Sequence, residues 1–170
     1  MFQLDQQGRI TAINTNSEFS GDDLKAVYYA KVTAQCQSTD LIEFSSTLRA
    51  HIFKQADNPD LAEQGRDDDL TALRYPQIKQ FKWDYESEGY AWHLDYGLGN
   101  KSTIKLSECK IDRFTFIPQN GGTVEIKFRI TYHPDVKDVG KIGELLMRDI
   151  GIKLIPPEAK NVQELFDKAA

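Results

Sequence analysis

A chain of 170 residues with 40% hydrophobic side chains can bury a core of its own, and its two cysteines, Cys36 and Cys109, form neither a disulfide framework nor a metal-ligand spacing. No apolar run approaches the roughly 20 residues needed to span a bilayer. The net charge of −5 has one address, because residues 56–69 hold six acids against Arg66 and the rest balances 20 acids with 20 bases. A balanced body with one acidic loop is a poor electrostatic match to a phosphate backbone.

The opening MFQLDQQGRI has no basic region followed by an apolar stretch, so a cytoplasmic chain without a secretory signal is expected. Residues 2–5 and 9–13 flank Gln6-Gln7-Gly8 and predict a small opening hairpin. Residues 14–23 are polar and turn-rich. Residues 25–37 predict a long strand, with Tyr28, Ala30, Val32, Ala34 and Cys36 on one face. In the segment that follows, Leu41, Phe44, Leu48 and Ile52 recur at steps of three and four. That spacing predicts a helix capped by Thr39 or Asp40 and broken at Ser45-Ser46, although Ile42, Phe44, Leu48 and Ile52 also fit an interrupted strand. Residues 55–69, with Pro59 and Gly65, read as a solvated loop.

From Gln80 the pattern is a meander: Phe81, Trp83 and Tyr85 alternate, residues 86–89 turn, and Tyr90, Trp92, Leu94 and Tyr96 alternate again. A turn at 97–100 and a strand at 103–107 lead to the segment with the clearest pattern, residues 109–134. There Val124, Ile126, Phe128, Ile130 and Tyr132 point one way and Thr123, Glu125, Lys127, Arg129 and Thr131 the other. Phe114 and Phe116 mark the antiparallel partner across the turn Pro118-Gln119-Asn120-Gly121-Gly122. A helix is expected over 135–149, with Val136, Val139, Ile142 and Leu146 as its apolar stripe. Gly140 and Gly143 would let it sit close on the sheet. A last strand at 152–155 precedes Pro156-Pro157. The expected fold is α+β: predominantly antiparallel sheet of meander or sandwich type, one C-terminal-half helix packed on it, and a shorter helix after the third strand. Residues 1–157 form one domain, and 158–170 a short helix or tail.

The succession LTALRYPQI, FKWDYESEGY, HLDYGLGN, IKLSECKIDRFTF, GGTVEIKFRITYHPD and IKLIPP resembles a family of small phage and prophage proteins from early, recombination- and replication-linked regions. GDDLKAVYYAKV and DLIEFSSTLRAHIF extend the resemblance over most of the chain. These are scaffold signatures, so the resemblance implies a setting, an infected or lysogenic bacterial cell, and carries over no catalytic residue.

The chemical motifs are sparse. GLGNKST (97–103) ends like a phosphate-binding loop but lacks its spacing and is followed by a strand. Asp112, Glu125 and Lys127 resemble the core of restriction-like nucleases, where the acids hold a metal and the lysine stabilises developing charge. The same Glu-x-Lys pattern solvates the outer face of any amphipathic strand. His93-x-Asp95 and His133-x-Asp135 make no closed metal site. Trp83, Tyr85, Tyr90 and Trp92, with Lys79, Lys82 and Lys101 nearby, are candidate binding residues. They read as core first, as anchors of a protein interface second, and as a stacking platform for single-stranded nucleic acid third. Asp67, Asp68 and Asp69 are candidates for presenting carboxylates to a basic partner surface. The expected function is that of a non-enzymatic accessory protein which binds another protein, of phage replication or recombination or of host defence. The alternatives are a single-strand nucleic-acid accessory and a metal-dependent nuclease using Asp112, Glu125 and Lys127. No cofactor, metal or membrane is expected, and a homo-oligomer is left open.

Overall fold

The computed structural model describes residues 1–57, 70–97 and 103–158. Among these, nine strands form: β1 (Leu4–Ser20), β2 (Asp23–Gln37), β3 (Phe53–Lys54), β4 (Ala72–Leu73), β5 (Phe81–Trp83), β6 (Ser87–Asp95), β7 (Thr103–Gln119), β8 (Thr123–Tyr132) and β9 (Asp149–Ile155). Helical turns occupy Ser38–Glu43 (3-10), Leu48–Ile52 (α1) and Val136–Glu144 (α2). Six strands close in the order β7-β6-β9-β1-β2-β8 and back to β7, all antiparallel. Because β8 holds one edge of β7 (Phe116↔Ile126), the extra strand β5 takes the other, where Phe81 and Trp83 pair with Phe116 and Phe114 beyond the end of β6. β3 and β4 make a separate two-stranded ribbon.

The expected α+β sheet with a helix packed across it is therefore corrected to a closed antiparallel barrel. The apolar pattern that implied one buried sheet face is the inner wall of a sheet rolled onto itself, so no helix is needed to cover it. Closure abolishes the edges an open sheet would expose. It is helped by bulges, which sharpen local twist. On β7, three residues separate Leu106 from Cys109 where β6 spends two, and three separate Asp112 from Thr115 where β8 spends two. Each extra residue sits beside a left-handed backbone position, Glu108 (φ 53°) and Arg113 (φ 57°). β1 has a bulge between Ile10 and Ala12.

These long bent strands overturn further expectations. The opening hairpin does not form: Gly8 lies inside β1, between Ala34 of β2 and Ile150 of β9. Its missing side chain has a packing reason, since a Cβ there would come within 2.9 Å of Ile152 Cδ1 and 3.0 Å of the Thr33 carbonyl oxygen. The strand at 103–107 and the first arm of the 109–134 hairpin are the single strand β7. β5 and β6 do not pair with each other, so the meander is broken there. The helix after residue 38 is a 3-10 turn and one turn of α-helix. α2 ends at Glu144 and buries Ile142, with Leu145 just beyond it, whereas Val136 is 92% exposed. Gly140 and Gly143 face open space and make no close approach to the sheet.

The β7–β8 hairpin forms as expected, with Val124, Ile126, Phe128, Ile130 and Tyr132 all buried. Its Gly121 and Gly122 N–H groups donate to the Thr71 carbonyl at 2.8 and 3.1 Å, and Ser38 N–H donates to the Gly122 carbonyl at 2.8 Å. That end of the barrel is covered by Leu41, Phe44, Leu48 and Phe53; the Phe44 ring meets Phe2, Tyr85, Phe114 and Phe116. At the opposite end β1 and β2 run on as a two-stranded arm. From Asn16↔Val27 to the tip they pair only with each other, because β8 reaches β2 no further than Tyr28. No helix among the described residues is long and apolar enough to cross a membrane.

Candidate functional site

The barrel interior is filled with side chains, so ligand contacts belong to the outer wall or the arm. This divides the four aromatic candidates. Tyr90 and Trp92 are fully buried: Tyr90 Oη donates to the Phe2 carbonyl at 3.0 Å, and the Trp92 ring lies edge-on to Tyr132 at 5.2 Å. Both rings fill the core, the first of the three readings given for them, and neither is offered to a ligand as the two binding readings require; with Leu94 they are the inward set of β6. Tyr85 is half-buried against Phe44 and Phe114, and the half-buried Trp83 lies near Phe116. Asp67, Asp68 and Asp69 lie outside the described residues, as do 98–102 of GLGNKST; Thr103 opens a strand, where a phosphate-binding loop would open a helix.

The structure does not bring Asp112 and Glu125 together. Asp112 faces Arg129 across the β7–β8 pair and Glu125 faces Ile117. Four residues of β8 separate Glu125 from Arg129, about 13 Å at the rise of an extended strand. Asp112 receives two hydrogen bonds from the Arg129 guanidinium, whose Nε reaches Oδ1 at 2.7 Å, and Glu125 pairs with Lys127 at 3.0 Å. Each acid is thus occupied by a cation. Among the described residues no group of three or more His, Cys, Asp and Glu is arranged to hold a metal. Cys36 and Cys109 are buried, and burial pushes both thiols up to about 12, which removes them as nucleophiles near neutral pH.

What the fold does assemble is a basic outer wall on β2, β8, β7 and β5. Lys31 pairs in register with Arg129, and Arg129 with Asp112; one step along, Thr33, Lys127, Thr115 and Lys82 form the next row. These residues face outward because their neighbours Ala30, Val32, Phe114, Phe116, Phe128 and Ile130 take the inner wall. A cleft of about 510 Å³ opens here, lined by Lys31, Lys82, Trp83, Asp84, Arg113, Phe114 and Thr115. Lys127 and Arg129 spend their charge on Glu125 and Asp112 of the same wall, Lys110 spends its own on Glu86 and Glu88 beside it, and Arg129 also lies over the Tyr29 ring at 5.0 Å. Lys31, Lys82 and Arg113 make no ion pair among the described residues, and Asp84 is the one acid in the cleft lining.

Arg113 stands at the β7 bulge in the left-handed region, which costs a residue with a Cβ about 1 kcal/mol or more. Bulges re-aim side chains next to functional surfaces, and this one turns an exposed guanidinium into the cleft. Reading the sequence identified Lys82 and Trp83 but missed Lys31 and Arg113. A signal for Arg113 was present: in Ile111-Asp112-Arg113-Phe114 the inward residues stand three apart, which breaks the alternation. No protein-family model, no curated protein and no solved structure matches this chain.

Proposed function

We propose that this protein is a non-catalytic binding module whose outer-wall cleft takes a single strand of nucleic acid. The observation that carries the reading is the convergence of three cations without ion-pair partners among the described residues, Lys31, Lys82 and Arg113, on one cleft that also contains Trp83. Single-strand sites combine a positive groove for the backbone with aromatic rings for the bases. The excess of acidic charge lies in 56–69, and the rest of the chain balances 20 acids with 20 bases. A role beside phage recombination or replication, as the resemblance implies, belongs to the same proposal.

The test is anisotropy of a labelled oligo-dT across a salt series. Neutralising three phosphates gives a slope of log affinity on log salt of about −2, and removing one of the three cations reduces it by about 0.7. Lys82→Ala and Arg113→Ala should each flatten the slope by that amount without changing the thermal midpoint. Slopes that stay at the wild-type value in both variants would refute the site.

A second reading, docking of another protein, is favoured by the arm. Its tip presents Phe19, 80% exposed, directly opposite Leu24, 62% exposed. Two-stranded ribbons are marginal in water, and an apolar cross-strand pair at the end of one marks a contact surface. The reading predicts that Phe19→Ser with Leu24→Ser abolishes recovery of a partner from infected-cell extract while oligo-dT binding persists. Recovery that is unchanged by both substitutions removes it.

A further inference from the structure

The opposite flank of the barrel carries a second cleft, of about 500 Å³, that the proposed strand-binding wall does not use. Its floor is a straight row across four strands: Lys105 of β7, His93 of β6, Lys153 of β9 and Asp5 of β1, each directly paired with the next. Cross-strand partners have Cβ atoms roughly 5 Å apart, so two ammonium groups flank one imidazole on the same face. The next row sets Asp95 beside Gly151 and Gly151 beside Gln7. Gly151 leaves the floor bare there; a Cβ would approach the Asp95 Cβ at 3.3 Å.

We propose that the row Lys105–His93–Lys153 binds a phosphate group, free or at the end of a strand. Lys105 and His93 make no ion pair among the described residues. Lys153 donates to Asp5 at 2.7 Å, but both side chains are largely exposed and the pair is weak enough to be exchanged for a dianion. Asp95 also lines the cleft, and its Oδ1 accepts from Gly97 N–H at 3.0 Å, among other interactions. His93 is half-buried between the two lysines, and this environment holds its pKa below the ordinary value, first through burial and then through repulsion from Lys105 and Lys153. The charged groups around it are Lys105 from β7, Lys153 from β9 and Asp95 two residues along its own strand, with Asp5 beyond Lys153.

The linkage has a definite sign. An anion seated in the row relieves the repulsion and stabilises the imidazolium, so it raises the His93 titration midpoint, and the site tightens as pH falls. None of these residues lines the strand-binding cleft, so the two sites are separate.

The experiment follows the His93 imidazole by NMR across pH in chloride, in sulfate and in phosphate at matched ionic strength. Sulfate stays dianionic throughout and isolates the histidine. The expected result is a midpoint raised by sulfate and phosphate beyond its chloride value. Lys105→Ala should weaken anion affinity roughly tenfold or more, as loss of a charge-assisted hydrogen bond does. Lys105 is exposed, so the variant keeps the barrel, which an unchanged far-UV circular dichroism spectrum and thermal midpoint of Lys105→Ala itself verify. A 5′-phosphorylated oligo-dT that raises the midpoint where its 5′-hydroxyl twin does not would place the phosphate at a strand end. Equal midpoints in chloride and sulfate, or an unchanged response in Lys105→Ala, would overturn the proposal by reducing the effect to screening.

Discussion

Gly8→Ala and Gly140→Ala are the same chemical change with opposite expected signs. A methyl group on Gly8 meets Ile152 Cδ1 at 2.9 Å and the Thr33 carbonyl oxygen at 3.0 Å. Ile152 is 1% exposed and Thr33 belongs to a strand paired on both sides, so neither yields freely. Overpacking of this kind costs about 1–3 kcal/mol, and the entropy gained by restricting the unfolded chain returns only about 0.4–1 kcal/mol. The two ranges leave a net loss of up to about 2.6 kcal/mol, about 1.3 kcal/mol at their midpoints, which lowers the melting temperature of a chain this long by roughly 3–5 °C. Gly140 lies inside α2 with nothing within 4 Å of the added carbon, so alanine should gain about 0.5–1 kcal/mol and raise the midpoint by roughly 1–4 °C. Thermal unfolding followed by far-UV circular dichroism reads both. If Gly8→Ala were stabilising, β1 would not pass unbroken between β2 and β9, and the closure of the barrel at that point would be wrong.

Asp112→Ala leaves the Arg129 guanidinium partly buried without its carboxylate; with the two side chains only 11% and 22% exposed, the loss should be about 2–4 kcal/mol in urea unfolding, and Arg129→Met added to it should recover part. The native thiols should resist alkylation at pH 8 and react fully in denaturant, because burial keeps Cys36 and Cys109 protonated. Those two raised values also fix a direction for stability: the contribution is intact below the ordinary thiol value of 9.0 and is lost as pH climbs toward about 12, by about 1.4 kcal/mol per pH unit for each thiol. A midpoint that holds constant across that window would show that the thiols are accessible in the native state.

Where a strand keeps its alternation, the sequence was legible. The inward set of β8 and its glycine turn could be read directly, as could the inward face of β2 from Ala30 to Cys36. Legibility failed where the chain bends. The bulges at Glu108 and Arg113 shift the alternation within β7, so one strand of 17 residues reads as two separate pieces. Gly8 carries a turn signal but serves a close crossing, a distinction that depends on Ile152, far along the chain. Closure itself rests on the long-range pairings of β1 with β9 and β2 with β8, and nothing local encodes them. The cleft was half visible for the same reason: Lys82 and Trp83 lie together in sequence, whereas Lys31 and Arg113 join them only because β8 stands between β2 and β7. Tyr90 and Trp92 share the aromatic pattern of Trp83, and only the barrel decides that they face inward.

The most direct test of the central claim is photo-crosslinking of a bromodeoxyuridine-substituted single strand to the intact protein, with the attachment site mapped by mass spectrometry. Binding in the outer-wall cleft predicts adducts on the peptide containing Lys82 and Trp83 and on that containing Arg113, both lost in high salt and in the Lys31→Ala, Arg113→Ala double variant. Adducts that map instead to the Phe19–Leu24 arm tip, or a strand that fails to crosslink at low salt, would contradict it.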